Sequence, residues 1–396
     1  MTSPPEPRPA PPTALPQVPL ESPAALPAVV ILATGGTIAG LAASPSASSS
    51  YTSGALPVEW LLAAVPQLAE LARVSAEQIV SIGSQDMNDT IWIALARRIR
   101  ALLARPDVDG IVVTHGTDTL EETAYFLHLV LPADKPVVLT CAIRPANALS
   151  ADGPLNLFNA VAVAASAAAR GRGVLVVSND VIHGAREVTK TQTLSVQAFE
   201  SMGRGPVGAL HYGRMTFFRE PPHRSGPRRA DAPHAAGRAD ASHAARHADA
   251  SGAVAGVDPS SAARGEDDLA AWQLDELPAE LPCVEIIHAH ANMTGTLIEL
   301  AVTSGAKGLV LAGVGDGNAS QAAIAALARA VAVGVPVVRS TRADGGAVLR
   351  NAEVDDDELG FVAAGLLNPQ KSRILLALAV LRTTDPARIQ ALFDAW

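Results

Sequence analysis

The chain has 396 residues, 48% of them hydrophobic and 4% aromatic, with a net charge of −9. That length allows two cores of ordinary domain size. The acidic balance argues against bulk nucleic-acid binding, the scarcity of aromatics against base-stacking platforms, and the lack of an apolar run near eighteen residues against a membrane-spanning helix. Cys141 and Cys283 are the two cysteines, far apart in sequence, so neither a disulfide framework nor a metal cluster is expected, and both should be buried free thiols.

In chain order, residues 1–27 hold ten prolines, one basic side chain, Arg8, and no continuous apolar stretch. They read as a solvated, partly polyproline II tail rather than a secretory signal. An apolar run at 29–33 predicts a buried strand. Residues 41–55 carry Gly, Ser and Tyr51 without any hydrophobic period, which predicts a long loop of the kind that closes over a site. Helical spacing over 58–72, a strand at 78–82 and an amphipathic helix over 89–104 follow, the last with Arg97, Arg98 and Arg100 outward.

Strands at 111–113, 136–140 and 174–177 then alternate with helices at 118–129 and 154–170. This predicts an α/β fold with a larger N-terminal domain, residues 28–220, whose mostly parallel sheet is flanked by helices. Residues 179–218 break the alternation with five glycines among short β-type runs, as hairpins at a sheet edge do. Residues 221–280 read as a low-complexity insertion and linker. A nine-residue repeat there brings His234 and His243 back in step, but nine residues turn an α-helix about 900°, placing successive histidines on opposite faces rather than around a metal.

A smaller C-terminal α/β domain is predicted over 281–396, with strands at 284–288, 308–311 and 335–339 and helices at 294–304 and 319–332. Residues 368–396 are helical in pattern, with Leu375, Leu378, Leu381 and Ile389 toward the core. The glycine-rich turn at 313–318 has no Walker lysine behind it and reads as structural rather than as a phosphate cradle. The acidic run at 355–358 reads as a solvated face.

Thr117 and Asp118 lie between the 111–113 strand and the helix after it, at a strand's carboxyl end, where open α/β sheets bind ligands. Both are also good helix caps. A second threonine, Thr37, follows the 29–33 strand within Thr34-Gly-Gly-Thr-Ile-Ala-Gly40. Together with Gly83-Ser-Gln-Asp-Met-Asn-Asp89 and Val188-Thr-Lys-Thr191, these stretches closely resemble the bacterial L-asparaginases, in particular the type II branch with its glutaminase-asparaginases. The resemblance runs from residue 29 to 396, interrupted by the low-complexity insertion.

The resemblance implies hydrolysis of L-asparagine to L-aspartate and ammonia through a threonyl acyl-enzyme, with glutamine as a secondary substrate and with no metal or organic cofactor. Thr37 is the implied nucleophile, assisted by Tyr51, while Thr117, Asp118 and Lys190 form a second catalytic set that activates water. Ser84 would bind the substrate α-carboxylate, and Gln85 with Asp118 the α-ammonium. Asn292 and Glu353 match positions by which a neighbouring subunit completes the pocket, in a homotetramer built as a dimer of dimers. His115 is expected to pack rather than react. Secreted members can carry a disulfide between the 89–104 helix and the 131–135 turn; neither segment has a cysteine here, which points to a cytoplasmic, reducing compartment. Two rival readings are a subunit supplying ammonia to a tRNA-dependent amidotransferase, and a non-catalytic binding protein on the same fold. The proline-rich tail speaks against the first, and the full set of site groups against the second.

Overall fold

The structure is a computed structural model that describes residues 26–46, 50–132, 134–211, 213–220 and 272–396. The expected tail, up to residue 25, and the insertion over 221–271 lie outside the described residues. The chain enters through β1 (Ala28–Gly35), where Val29, Ile31 and Leu32 are fully buried. A small ribbon, β2 (Leu41–Ala42) paired with β3 (Tyr51–Thr52), stands where a featureless loop was expected. The helical pattern over 58–72 is two helices, α1 (Val58–Ala63) and α2 (Leu68–Leu71), because Pro66 between them has no amide proton to continue the first.

Next come β4 (Arg73–Ile82), α3 (Asp89–Leu103), β5 (Gly110–Thr114), α4 (Leu120–Val130), β6 (Val137–Thr140), α5 (Gly153–Ala164) and β7 (Val174–Ser178). Asn88 starts α3 by accepting the Ile91 amide at 3.1 Å. β4, β1, β5, β6 and β7 lie side by side in that order, all parallel. The inner strands are buried on both faces, which explains their unbroken aliphatic runs. β8 (Val181–Gly184) turns back antiparallel on β7, and β9 (Val188–Lys190) pairs with β10 (Phe199–Ser201) in a separate ribbon. β11 (Gly208–His211) and β12 (Arg214–Phe217) complete the edge, giving the eight-stranded order β12-β11-β8-β7-β6-β5-β1-β4.

The C-terminal domain runs β13 (Val284–His288), α6 (Thr296–Thr303), β14 (Gly308–Gly313), α7 (Gln321–Ala332), β15 (Val337–Thr341), α8 (Asp356–Leu359) and β16 (Phe361–Ala363). Its four strands form one parallel sheet in sequence order. β16 was not among the expected strands: three residues are too few to show a period. The chain closes with α9 (Pro369–Ala379) and α10 (Pro386–Ala395), each with proline in its first turn, where a missing N–H is harmless, and each capped by the residue before it. Leu375, Leu378 and Ile389 are buried as expected, whereas Leu381 falls in the turn after α9 and is 38% exposed.

The two domains share a core. α4 lies between β7 and α9, so Tyr125, Phe126, Leu127 and Leu129 are buried all round the helix. The cluster continues through α3, α9 and α10 to Trp396 and Trp272, whose ring centroids are 5.5 Å apart. Trp272 also donates its indole N–H to the Leu378 carbonyl at 3.0 Å. The final residues of the expected linker are thus packed structure, since burial of a large apolar side chain contributes about 1.5–3 kcal/mol.

Two further expectations need correction. Asp356, within the acidic run, is fully buried and takes a bidentate pair from Arg339, Nε and Nη2 each at 2.6 Å. Arg339 also donates to the carbonyls of Asp316 and Leu349, which satisfies the guanidinium away from water and fastens the loop after β15. Cys141 is buried, its thiol pKa pushed up to about 12 by burial, but Cys283 is exposed at the entry to β13.

Candidate active site

Three neighbouring parallel strands, β4, β1 and β5, end side by side, and each passes into a polar turn. Ser84 and Gln85 follow β4, Thr37 follows β1, and Thr117 with Asp118 follows β5. The turns after β1 and β5 touch through glycine: Gly36 has φ 78°, and a Cβ on it would lie 2.4 Å from the Gly116 Cα. Below them Thr34 Oγ1 donates to the Thr114 carbonyl at 2.9 Å, tying the two strand ends together.

Thr37 opens a single 3-10 turn and is 6% exposed, with its Oγ1 2.7 Å from the Tyr51 hydroxyl. Tyr51 arrives on the β2–β3 ribbon, which folds back because Ala42 pairs with it. Thr117, also 6% exposed, accepts from Lys190 Nζ at 2.9 Å, and the same ammonium lies 2.6 Å from Asp118 Oδ1. Lys190 comes from β9, so the ribbon beside the main sheet supplies the cation. The two threonine sets therefore sit on turns that meet at Gly36 and Gly116, one buried hydroxyl beside a phenol and one beside an ammonium–carboxylate pair. This is an arrangement able to attack a carbonyl and to move protons.

Ser84 is buried and accepts the Asp118 amide at 3.1 Å, which fixes the Asp118 turn. Its carbonyl accepts from Thr119 Oγ1 at 2.7 Å, a link the sequence reading missed. Gln85 is exposed, its amide donating to Asp86 at 3.2 Å. His115 is wholly buried between the Gly116 carbonyl at 2.7 Å and Thr123 Oγ1 at 2.9 Å, and burial pushes its pKa down to about 4. It packs, as expected.

Asn292 and Glu353 belong to the C-terminal domain. Both lie in loops at the carboxyl ends of the C-terminal strands, Asn292 exposed with φ 61° after β13, and Glu353 exposed after β15, accepting from Asn318 Nδ2 at 3.0 Å. Also missed by the sequence reading is Glu121, in the first turn of α4, whose Oε2 accepts the Lys190 amide at 3.0 Å. The available signal was lysine scarcity: of four lysines, Lys190 meets Thr117 and Asp118, and Lys371 is buried 3.8 Å from Glu121. Among the described residues no group of three or more His, Cys, Asp or Glu is arranged to hold a metal ion.

Known proteins repeat this architecture. Residues 28–223 match the asparaginase N-terminal family and residues 283–393 the glutaminase/asparaginase C-terminal domain. The chain is 43% identical to L-asparaginase 2 of Escherichia coli over 94% of each chain. It is 40% identical to the glutaminase-asparaginase of Pseudomonas fluorescens, over 92% of this chain and 89% of that one. The crystal structure of a probable cytoplasmic L-asparaginase from Campylobacter jejuni superposes with a TM-score of 0.79 at 39% identity, covering 93% of this chain and all of the other. With both domains matched and this degree of identity along nearly the whole length, the chain belongs to the asparaginase family.

Proposed function

We propose that the protein is an L-asparaginase, hydrolysing L-asparagine to L-aspartate and ammonia in two steps on the threonine cleft. Thr37 Oγ attacks the side-chain amide carbonyl, its proton passing by way of the Tyr51 hydroxyl to the amide nitrogen, and the C–N bond breaks to release ammonia and leave a β-aspartyl ester on Thr37. Water held by Thr117 then attacks the ester, giving its proton to the Lys190–Thr117 pair; the Thr37 Oγ–carbonyl bond breaks to release aspartate, and that proton returns to Thr37 Oγ, which regenerates its hydroxyl. Ser84 receives the substrate α-carboxylate, and Gln85 with Asp118 the α-ammonium. The observation that carries this reading is the pairing of two buried threonine hydroxyls with Tyr51 at 2.7 Å and Lys190 at 2.9 Å, at the ends of adjacent strands. Incubating the purified protein separately with asparagine and glutamine and measuring ammonia and the acid product tests it. Loss of neither amide would refute it.

Glutamine is the second substrate in this reading, as the names of the glutaminase-asparaginase relatives suggest. One methylene is worth only about 1–3 kcal/mol of discrimination in a pocket. Asn292 and Glu353 act on a neighbouring subunit's cleft in a homotetramer, a reading supported by their place on exposed loops of the C-terminal domain rather than on the strands that carry the threonines, and by Leu297 and Leu300, 57% and 55% exposed on α6. The free thiols Cys141 and Cys283 favour a cytoplasmic, reducing compartment.

A further inference from the structure

Lys190 is held at both ends by one helix turn. Its ammonium meets Thr117 and Asp118, and its backbone amide donates to Glu121 Oε2 at 3.0 Å, so residues just before α4 and in its first turn grip the head and the root of a flexible four-carbon side chain. β9 needs such a grip, because among the described residues it pairs with β10 and not with the main sheet that carries Thr117. Glu121 is itself locked from behind. Asn368 Nδ2 donates to Glu121 Oε1 at 3.1 Å, while Asn368 Oδ1 accepts the Lys371 amide at 3.0 Å and so starts α9. Lys371 Nζ lies 3.8 Å from Glu121 Oε2, donates to the Val188 carbonyl, and reaches Thr189 Oγ1 at 3.4 Å. Val188, Thr189 and Lys190 are thus each tied to the Glu121–Lys371–Asn368 cluster.

We propose that Glu121, locked by Asn368 and Lys371 of the same subunit's C-terminal domain, is a positioning residue that sets Lys190 against Thr117 for attack by water. Glu121 is 5% exposed and Lys371 1%. Burial holds the Lys371 pKa below the usual lysine range, partly offset by Glu121, Glu187 and Glu122, with Arg186 acting against them. A buried ion pair is poor at stabilising a core compared with apolar packing of equal volume. What it supplies here is directional contacts to three consecutive backbone and side-chain groups of the lysine's strand. The C-terminal domain consequently acts on its own subunit's cleft through α9, independently of any role of Asn292 and Glu353 across an interface.

The inference rests on the ester mechanism proposed above, and the test separates the two. During turnover of asparagine, added hydroxylamine competes with water for the β-aspartyl ester: the Thr37 Oγ–carbonyl bond breaks, a bond to hydroxylamine nitrogen or water oxygen forms, and a proton returns to Thr37. The ratio of β-aspartyl hydroxamate to aspartate belongs to each active molecule and does not depend on how much variant has folded. Hydroxylamine, the stronger nucleophile, leans less on the Lys190–Thr117 pair than water does. Glu121→Gln and Asn368→Ser, the latter keeping a helix-capping hydroxyl, should each raise that ratio by about threefold or more while leaving KM for asparagine little changed. An unchanged ratio in both variants, whatever their kcat, overturns the positioning role. Absence of hydroxamate with the wild-type enzyme overturns the ester mechanism first and the positioning role with it.

Discussion

Gly36 and Gly116 meet backbone to backbone: a methyl group on Gly36 would sit 2.4 Å from both the Gly116 Cα and its amide nitrogen. This contact joins the turn bearing Thr37 to the turn bearing Thr117. It also requires φ 78° at position 36, where a side chain is strained. Gly36→Ala should therefore part the two threonines before it unfolds the sheet. We expect a loss of about 2–4 kcal/mol in stability from strain and overpacking, and a fall in kcat exceeding what the lost folded fraction explains. Urea unfolding beside ammonia release checks this, and a variant with wild-type kcat would show that the contact does not matter.

The buried histidines set an acid limit on stability. His115 and His183 are both pushed down to about 4 by burial, against about 6.5 in an unfolded chain. Between those values the unfolded state binds more protons, so the stabilisation is complete above about pH 6.5 and is lost as pH falls toward 4, by up to about 3 kcal/mol per histidine. His183→Gln should flatten this slope. The stability gap between wild type and variant, measured at pH 7.5 and again at 4.5, should narrow in acid. An equal gap at both values contradicts the assignment.

Arg339→Met would leave the Asp356 carboxylate buried without its partner, at a cost of about 3–5 kcal/mol. The loop carrying Glu353 should loosen with it, because Arg339 also holds the Asp316 and Leu349 carbonyls. Pairing Arg339→Met with Asp356→Leu should recover most of the stability but not the loop's order. Chemical unfolding of both variants, together with KM for asparagine, separates the two effects.

How much of this was legible beforehand follows from the physics of each part. The inner strands β1, β5, β6 and β7 announce themselves, since burial on both faces demands continuous aliphatic residues. Pro66 splits a helix whose hydrophobic spacing runs straight through it, and spacing alone does not register a missing amide proton. Asp356 reads as one acid among four because its partner, Arg339, is seventeen residues away, on a different element. The cleft is similar. Lys190 and Asp118 are 72 residues apart, and no local period links a ribbon lysine to a strand-end carboxylate; only the resemblance of whole motifs did so. Glu121 was hidden for the same reason, with its partners on α9 near the far end of the chain.

If Asn292 and Glu353 serve a neighbour, complementation should reveal it. In a mixed dimer of a Thr37→Ala protomer and a Glu353→Ala protomer, one cleft collects both defects and the other neither, so it should show about half of wild-type turnover. Co-expression with two tags and sequential purification isolates the mixed species. Turnover no greater than the mean of the two parents would place Glu353 in service of its own subunit or of none.

The claim that Thr37 and Thr117 carry the chemistry is tested most directly by kcat in Thr37→Ala and Thr117→Val, measured as ammonia released from saturating asparagine by protein whose thermal unfolding matches wild type. Both substitutions remove a hydroxyl on which the proposed covalent cycle depends, so each should lower kcat by a factor of about a thousand or more. A folded Thr37→Ala enzyme that retains more than about a tenth of wild-type kcat, a loss below about 1.4 kcal/mol, would contradict its place as the nucleophile.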